Sequence, residues 1–544
     1  MRHHLYRYLV CGLAVLSLAS MNRGSADDSP ETAATWKQFV AAGESGDEPV
    51  LPDFSYAGYR FGEVPIPDVE AQRFDVTDHG AIPDDGKSDQ EAIQKAIDAA
   101  TASGGGIVFF PPGKFLVNTD PKNKRSIRLT AGNLILRGSG CGLGGTVLQM
   151  VHPLDPRDPT KMFSTPCMFI IGKPQKKEAL AKITADARRE TYRIEVDDTS
   201  RLNPGMWISL DMESTAAVNT YLHPFEPEAA WTRLTNTGIG FEELHTVKAV
   251  RDHVVELGEP LRAGVLARHG WSVNSFRPLE QIGVEDICFL GSWHQKFVHH
   301  RSALDDSGFS ALQLRQVANS WVRRCSFVNW NQALTISTSA ATSVLQVRIA
   351  GNRGHGSVYI RGGGDGVLVG LTRDTARHHH GPSVGYRSSG CVFWRYEMHP
   401  SQSIDSHSGT PIATLMDRVD GGVLRGSGGP LAGLPNHLRH YVLWNFNHRG
   451  RPPRQYDFWR KGRRDRFVKP IIVGMHGARV RFAEDSIELN ESPGTPVQPE
   501  SLYEAQLRLR LGHLPGWVQE ARAAWAPLSQ QPLPGDEPST QGQD

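Results

Sequence analysis

From residue 74 onward the apolar and polar positions change period in a fixed order. Phe74-Asp75-Val76-Thr77 opens as a short strand, and Ala92, Ile93, Ala96, Ile97 and Ala100 fall on one face of a helix. Ile107-Val108-Phe109-Phe110 is then an unbroken apolar run of the kind that buried strands use. Ser88 and Glu91 have capping-box spacing at the helix start, Gly104-Gly105-Gly106 stops it, and Pro111-Pro112-Gly113 supplies a turn. The predicted order is strand, helix, strand, tight turn.

Further along, short apolar runs recur at Val284–Gly291, Trp321–Asn329, Val344–Asn352, Val367–Leu371 and Cys391–Trp394. Their spacing, roughly 22–25 residues, is one coil of a solenoid whose strands stack in register, whereas propeller blades need about 40. Between the two regions, Tyr192–Val196, Met206–Leu210, His245–Val250 and Val254–Leu257 alternate apolar and polar residues, which predicts a small antiparallel insertion. It either walls one edge of a groove or braces the coil. Leu438–Phe446 is strand-like, and Pro499–Leu507 reads as a capped helix closing the solenoid end.

Composition sharpens this picture. The 544 residues include 55 glycines and 35 prolines without a collagen period, as suits many strands and turns. Fifty-nine Lys and Arg nearly cancel 58 Asp and Glu to a net charge of +1. No global field therefore favours nucleic acid or an anionic membrane, and no nucleic-acid partner is expected. The start, basic and then apolar from Leu9 to Ala19 with Gly24-Ser25-Ala26 following, has the order of a secretory signal and is too short to span a bilayer. An exported protein, periplasmic or extracellular, with no transmembrane segment when mature, is expected. Cys141, Cys167, Cys288, Cys325 and Cys391 show neither metal spacing nor a disulfide framework and read as buried small residues.

The string from Phe74 to Val117, with its Gly-Ala, Asp-Gly, Ser-Asp, Ala-Ile-Gln-Lys-Ala-Ile and Gly-Gly-Gly-Ile-Val-Phe-Phe-Pro-Pro-Gly elements, resembles the N-terminal entry of the pectate-lyase superfamily. The resemblance implies an all-β fold: a right-handed parallel β-helix with an N-terminal capping helix, a small antiparallel insertion and a C-terminal helical cap. It also implies a polysaccharide substrate. The expected partition is a signal at 1–26, an extension at 27–70, the first coils at 71–176, the insertion at 177–280, the main coils at 281–450, a basic segment and cap at 451–520, and a disordered tail at 521–544. Oligomeric state is left open.

Residues one coil apart meet on a shared face, so candidate chemistry is sought at that spacing. The densest constellation runs from 373 to 407. His378, His380, Tyr386, Arg387, Arg395, Asp405 and His407 make up a catalytic set, with Arg377, Tyr396, His399, Trp394 and the aromatic-basic tract around Trp459 as substrate-binding candidates. Uronate β-elimination needs these parts: a cation to neutralise the C6 carboxylate, a base for the C5 proton, and an acid for the departing glycosidic oxygen. Asp405 would orient an imidazole. An alternative set, Asp305, Asp306 and His355 in Gly354-His355-Gly356, is similar to the Asp pair and Gly-His-Gly of polygalacturonases, although no Asn-Thr-Asp or Arg-Ile-Lys accompanies it. The expectation is a lyase of acidic glycans. A polygalacturonase-like hydrolase and a non-catalytic glycan-binding β-helix are the alternatives. No metal or other cofactor is expected; calcium is conceivable only if Asp305, Asp306, Asp365 and Asp374 converge.

Overall fold

The computed structural model describes residues 30–424 and 428–536; the expected signal at 1–26 lies outside them. Two ladders of parallel strands wind around one core. In the first, Val322, Val344, Val369, Phe393 and Met416 are register partners, which gives successive coils of 22, 25, 24 and 23 residues. The second is an eight-stranded ladder from Ile127–Leu129 to Val423–Leu424, with Ser310–Arg315, Gln332–Ser337, Gly356–Arg361, His380–Val384 and Ser403–Ser406 stacked in sequence. Inward-facing side chains repeat from coil to coil, as where Phe289 and Phe327, register partners, stack with ring centroids 5.1 Å apart.

Each coil turns a corner at one register row. Arg324, Gln346, Leu371, Arg395, Arg418 and Asn445 all sit in the left-handed region, with φ between 46° and 59°. Such a residue bends the chain between two strands, and its side chain leaves the coil on the outside.

The helix Gln90–Ala102 closes the N-terminal end, burying Ile93, Ala96, Ile97 and Ala100. Its cap differs from the expected Ser88–Glu91 box. Asp89 is the N-cap residue, and its carboxylate accepts instead from the backbone N–H groups of Ile82 (2.9 Å) and Leu116 (2.8 Å), tying the helix start to the strand beneath.

The antiparallel insertion is a six-stranded sheet built from strands between Ala179 and Ser275. It docks on the coil turns through Arg387, which pairs with Glu213 at 2.9 Å, and through Thr410, which donates to the Gly240 carbonyl at 2.6 Å.

Within the described residues, both the N-terminal extension and the C-terminal segment up to 536 are more structured than their composition suggests. The extension carries the helix Ala34–Ser45 and buries Phe39, Leu51 and Phe54. Its Ala33 N–H donates to the Gln498 carbonyl at 2.8 Å. The tail expected from 521 is instead helical over Gly516–Leu528, and Leu528 and Leu533 pack against Cys141, Cys288 and Val328. Arg348 adds a hydrogen bond to the Gln531 carbonyl at 2.6 Å, and Arg373 one to the Gln530 side chain at 2.7 Å. The helix Leu502–Leu511 starts as expected, with the Ser501 hydroxyl accepting from Glu504 N–H at 3.2 Å. Ser501→Ala is expected to lower stability by about 1–2 kcal/mol in a denaturant titration.

All five described cysteines are free and buried, and burial pushes the Cys167 thiol up to about 12. Among the described residues, no helix is long and apolar enough to cross a membrane.

Candidate active site

The second ladder builds the site through strand alternation. Gln313, Thr335, Tyr359, Ser383 and Asp405 form one register row, and Arg315, Ser337 and Arg361 another two residues on, so both rows leave the same face of the sheet. Above them opens a groove of about 1040 Å³, rimmed by His299 and His300 from one side and by Gly428–Pro430 and Arg464 from the other.

Imidazoles crowd one end. His355 and His380, from neighbouring coils, meet edge to face with centroids 4.9 Å apart. His299 stacks on His379 at 4.0 Å and lies 5.4 Å from His355. Desolvation by the surrounding rings, then mutual repulsion, pulls His299, though solvent-exposed, and His379 down to about 4 and buried His355 well below the ordinary histidine range.

Asp405 organises the middle of the groove. It is buried, and its Oδ2 lies 2.7 Å from His407 Nδ1 and 3.3 Å from His380 Nδ1, while Ser383 Oγ donates to it at 3.0 Å and Gly428 N–H donates to Oδ1 at 3.2 Å. Burial alone would raise its pKa, but the two imidazoles and these donors hold it far below the usual carboxylate range. The His407 ring lies 5.3 Å from that of Tyr359, over which Arg361 sits at 5.5 Å. The Tyr359 hydroxyl is buried without a hydrogen-bond partner, and desolvation raises its pKa well above 10.

The arginines of the groove complete the electrostatics. Among the described residues, Arg157, Arg315 and Arg361 form no ion pair with a carboxylate, although the chain forms many elsewhere. Burial first, then Arg361 and Arg157, lowers the pKa of Arg315, as expected where cations face one another without an anion.

The structure brings together His380, Tyr386, Asp405, His407 and His355, all of which line the groove. It parts them from the other candidates. His378 turns into the core, 3.4 Å from Ser357 Oγ, on the connection that precedes the strand His380–Val384. Tyr396 is likewise interior and donates to Asp374 at 3.0 Å. Arg387 anchors the insertion. Arg395 occupies a coil corner on the first ladder, where it pairs with Glu504 at 2.8 Å and Glu500 at 3.0 Å, and neighbouring Trp394 donates to Glu504 at 3.0 Å. Arg377 lies on an exposed left-handed turn outside the groove, near His399, whose ring bonds Ser401 at 2.8 Å. Trp459 stacks on Phe225 at 4.0 Å and braces the insertion.

Asp305 and Asp306 are committed as well. Asp305 pairs with Arg301 at 2.7 Å and accepts from Ser302 Oγ at 2.6 Å, and Asp306 holds His300 Nδ1 at 2.7 Å. Both are buried and brace the loop that carries His299 and His300 into the groove. Asp365 accepts from Leu244 N–H beneath the insertion, and Asp374 is interior. The four carboxylates therefore do not converge on one point.

Sequence reasoning missed His299, Tyr359, Arg315 and Arg361. Their signal is coil register, which needs the position of every corner residue.

Comparison with known proteins agrees with the fold. A family model described as "Rhamnogalacturonase A/epimerase, pectate lyase-like" matches residues 73–133, the capping helix and first strands, and one described as "Domain of unknown function (DUF4955)" matches residues 377–521. Mannuronan C5-epimerase AlgE3 of Azotobacter vinelandii is 31% identical over 124 residues, 23% of this chain and 6% of its own. Alginate lyase 7 of the same organism is 35% identical over 82 residues, 15% of this chain and 9% of its own. The matched segment is thus a small part of either relative. Among solved structures, the tailspike protein gp49 from Pseudomonas phage LKA1 aligns over 76% of this chain and 79% of its own with TM-score 0.37 and 13% identity. The AlgE4 A-module of Azotobacter vinelandii aligns over 78% and 97% with TM-score 0.28 and 12% identity. With the matched segment seated on the capping helix and parallel ladders running on from it, the chain is a right-handed parallel β-helix whose residues 73–133 match a pectate lyase-like family model.

Proposed function

We propose that the groove binds an acidic, uronate-containing polysaccharide and removes the C5 proton of a uronate residue, with β-elimination as the outcome. The observation that carries this reading is the pair of half-buried groove arginines, Arg315 and Arg361, with no carboxylate ion pair among the described residues. Buried or half-buried cations are costly unless an anion meets them, and a guanidinium receives a carboxylate bidentately. Arg361 and Arg315 neutralise the C6 carboxylate, which acidifies C5. His407, its Nδ1 held by Asp405 at 2.7 Å, takes the C5 proton. Tyr359, which desolvation keeps protonated, delivers a proton to the departing glycosidic oxygen.

The curated relatives support this substrate class, since mannuronan and alginate are uronate polymers. They also favour a second outcome. C5 epimerisation shares the first step and differs only in returning a proton to the opposite face of C5. An exported setting, expected from the order of residues 1–26, suits a polymeric substrate.

The test compares a native uronate polymer with its carboxyl-reduced counterpart. Only the native polymer should bind and turn over. Arg361→Ala should raise KM for it by about 10-fold or more, the value of one charge-assisted hydrogen-bonded contact. Equal turnover of the carboxyl-reduced polymer would sink the proposal.

A further inference from the structure

We infer that His299, His355 and His380 form a metal-ion site on the groove wall that takes a first-row transition ion of imidazole preference, such as Zn²⁺. One donor nitrogen from each lies within 4.8 Å of the other two. The three come from separate segments: the loop braced by Asp305 and Asp306, the turn before the strand Gly356–Arg361, and the first residue of the strand His380–Val384. The register pair Gly356–His380 is what sets His355 beside His380.

The environment of the trio is that of ligands. His355 is 5% exposed, yet its Nε2 has no hydrogen-bond partner. A buried nitrogen left without a partner is costly, and a cation between the rings would satisfy it. Gln332 Nε2 lies 3.2 Å from His355 Nδ1 and also donates to the Asp306 carbonyl at 3.2 Å; ligation through His355 Nε2 requires the amide to turn its oxygen to Nδ1 and exchange that second bond for the ion. His380 Nδ1 lies 3.3 Å from Asp405 Oδ2, the carboxylate–imidazole pairing that orients a metal-bound histidine and leaves the other ring nitrogen free.

Three imidazoles without a carboxylate among them suit Zn²⁺, Co²⁺, Ni²⁺ or Cu²⁺ rather than calcium or magnesium. Three protein ligands beside an open groove leave a fourth position for water or a substrate oxygen. A second grouping, His380, Asp405 and His407, also has donors within 4.8 Å of one another. Within it His407 Nδ1 already hydrogen-bonds to Asp405 Oδ2 at 2.7 Å and His380 Nδ1 lies 3.3 Å from the same oxygen, so a metal there would have to displace contacts among its own ligands that the first trio lacks. This inference concerns ion binding and stands whether or not the groove processes uronates.

The test uses the untagged full chain, stripped with chelator and titrated calorimetrically with Zn²⁺, with Co²⁺ visible absorption as a second readout. One equivalent should bind, giving the intense bands of a four-coordinate Co²⁺ site, and should raise the melting temperature. His299→Ala and His355→Ala should weaken binding by at least about 10–100-fold, the cost of losing even an outer-shell partner. His407→Ala should bind as wild type does. Because His299 is exposed, the metal-free His299→Ala chain should melt with the metal-free wild type, which separates lost binding from lost folding. No saturable binding, or binding that survives His299→Ala and vanishes in His407→Ala, would overturn the assignment.

Discussion

Asparagine at position 405 is expected to lower kcat on a uronate polymer by about 10³–10⁴-fold with KM nearly unchanged, the size seen when a carboxylate orienting a catalytic imidazole loses its charge. Asp405 touches no substrate in this account; it is a positioning residue. Its Oδ2 holds His407 Nδ1 at 2.7 Å and so fixes which nitrogen faces the groove. An amide of the same shape retains the contact with Ser383 but can present its NH₂ to the ring and select the wrong tautomer. The check is steady-state kinetics alongside polymer binding and circular dichroism. Loss of turnover with binding and fold retained supports the role, whereas a parallel loss of melting temperature and binding would reduce Asp405 to a structural brace.

The largest stability effect is expected at Glu285. It is fully buried and bridges two coils, with Oε1 2.5 Å from Arg137 Nε and Oε2 2.6 Å from Arg323 Nε, while Trp321 Nε1 donates to it at 3.2 Å. Arg323 continues to Asp68 at 2.6 Å and so ties the N-terminal extension to the coil. Glu285→Ala strands a buried guanidinium and should cost about 3–5 kcal/mol in a denaturant titration. The pH dependence follows from the same contacts. Burial would raise the pKa of Glu285, but Arg323 and Arg137 outweigh it and hold the group below its ordinary value. A carboxylate whose folded pKa is depressed contributes stability that is present above its unfolded pKa, about 4.3, and is lost as pH falls through the folded value. The wild-type denaturation midpoint should therefore drop below about pH 4, and Glu285→Gln, already weakened, should show a shallower drop. An equal slope in both would contradict this assignment.

The architecture was legible in the sequence because each of its signals is local or strictly periodic. The capping helix announces itself by Ala92, Ile93, Ala96, Ile97 and Ala100, and the coils by runs at roughly 22–25 residues. The site was legible in part. His380, Asp405 and His407 were found because polar residues cluster there, about one coil apart. Arg395, Trp394 and Tyr396 were drawn into the same cluster because they are near in sequence, yet they lie on the first ladder, where a left-handed corner at Arg395 aims its side chain at the terminal helix. Arg315 and Arg361 face the same groove but stand two coils apart, joined only through Ser337, and no local pattern connects them. The disorder expected from 521 fails over the described residues 521–536, because composition gave no weight to Leu528 and Leu533, which pack against the coil; residues 537–544 lie outside the described ones.

The central claim is removal of the C5 proton of a uronate, and it is tested most directly by incubating acidic polysaccharides with the protein in deuterated water. Ultraviolet absorbance, reducing ends and deuterium at C5 are followed together, with Asp405→Asn as control. The account predicts that wild type produces unsaturated uronate in step with new chain ends, or, by the epimerisation outcome, deuterium at C5 without shortening, and that Asp405→Asn produces neither. New reducing ends that are saturated and carry no deuterium at C5 would instead mean hydrolysis, and unchanged polymer despite tight binding would mean a glycan-binding β-helix; either result would contradict the account.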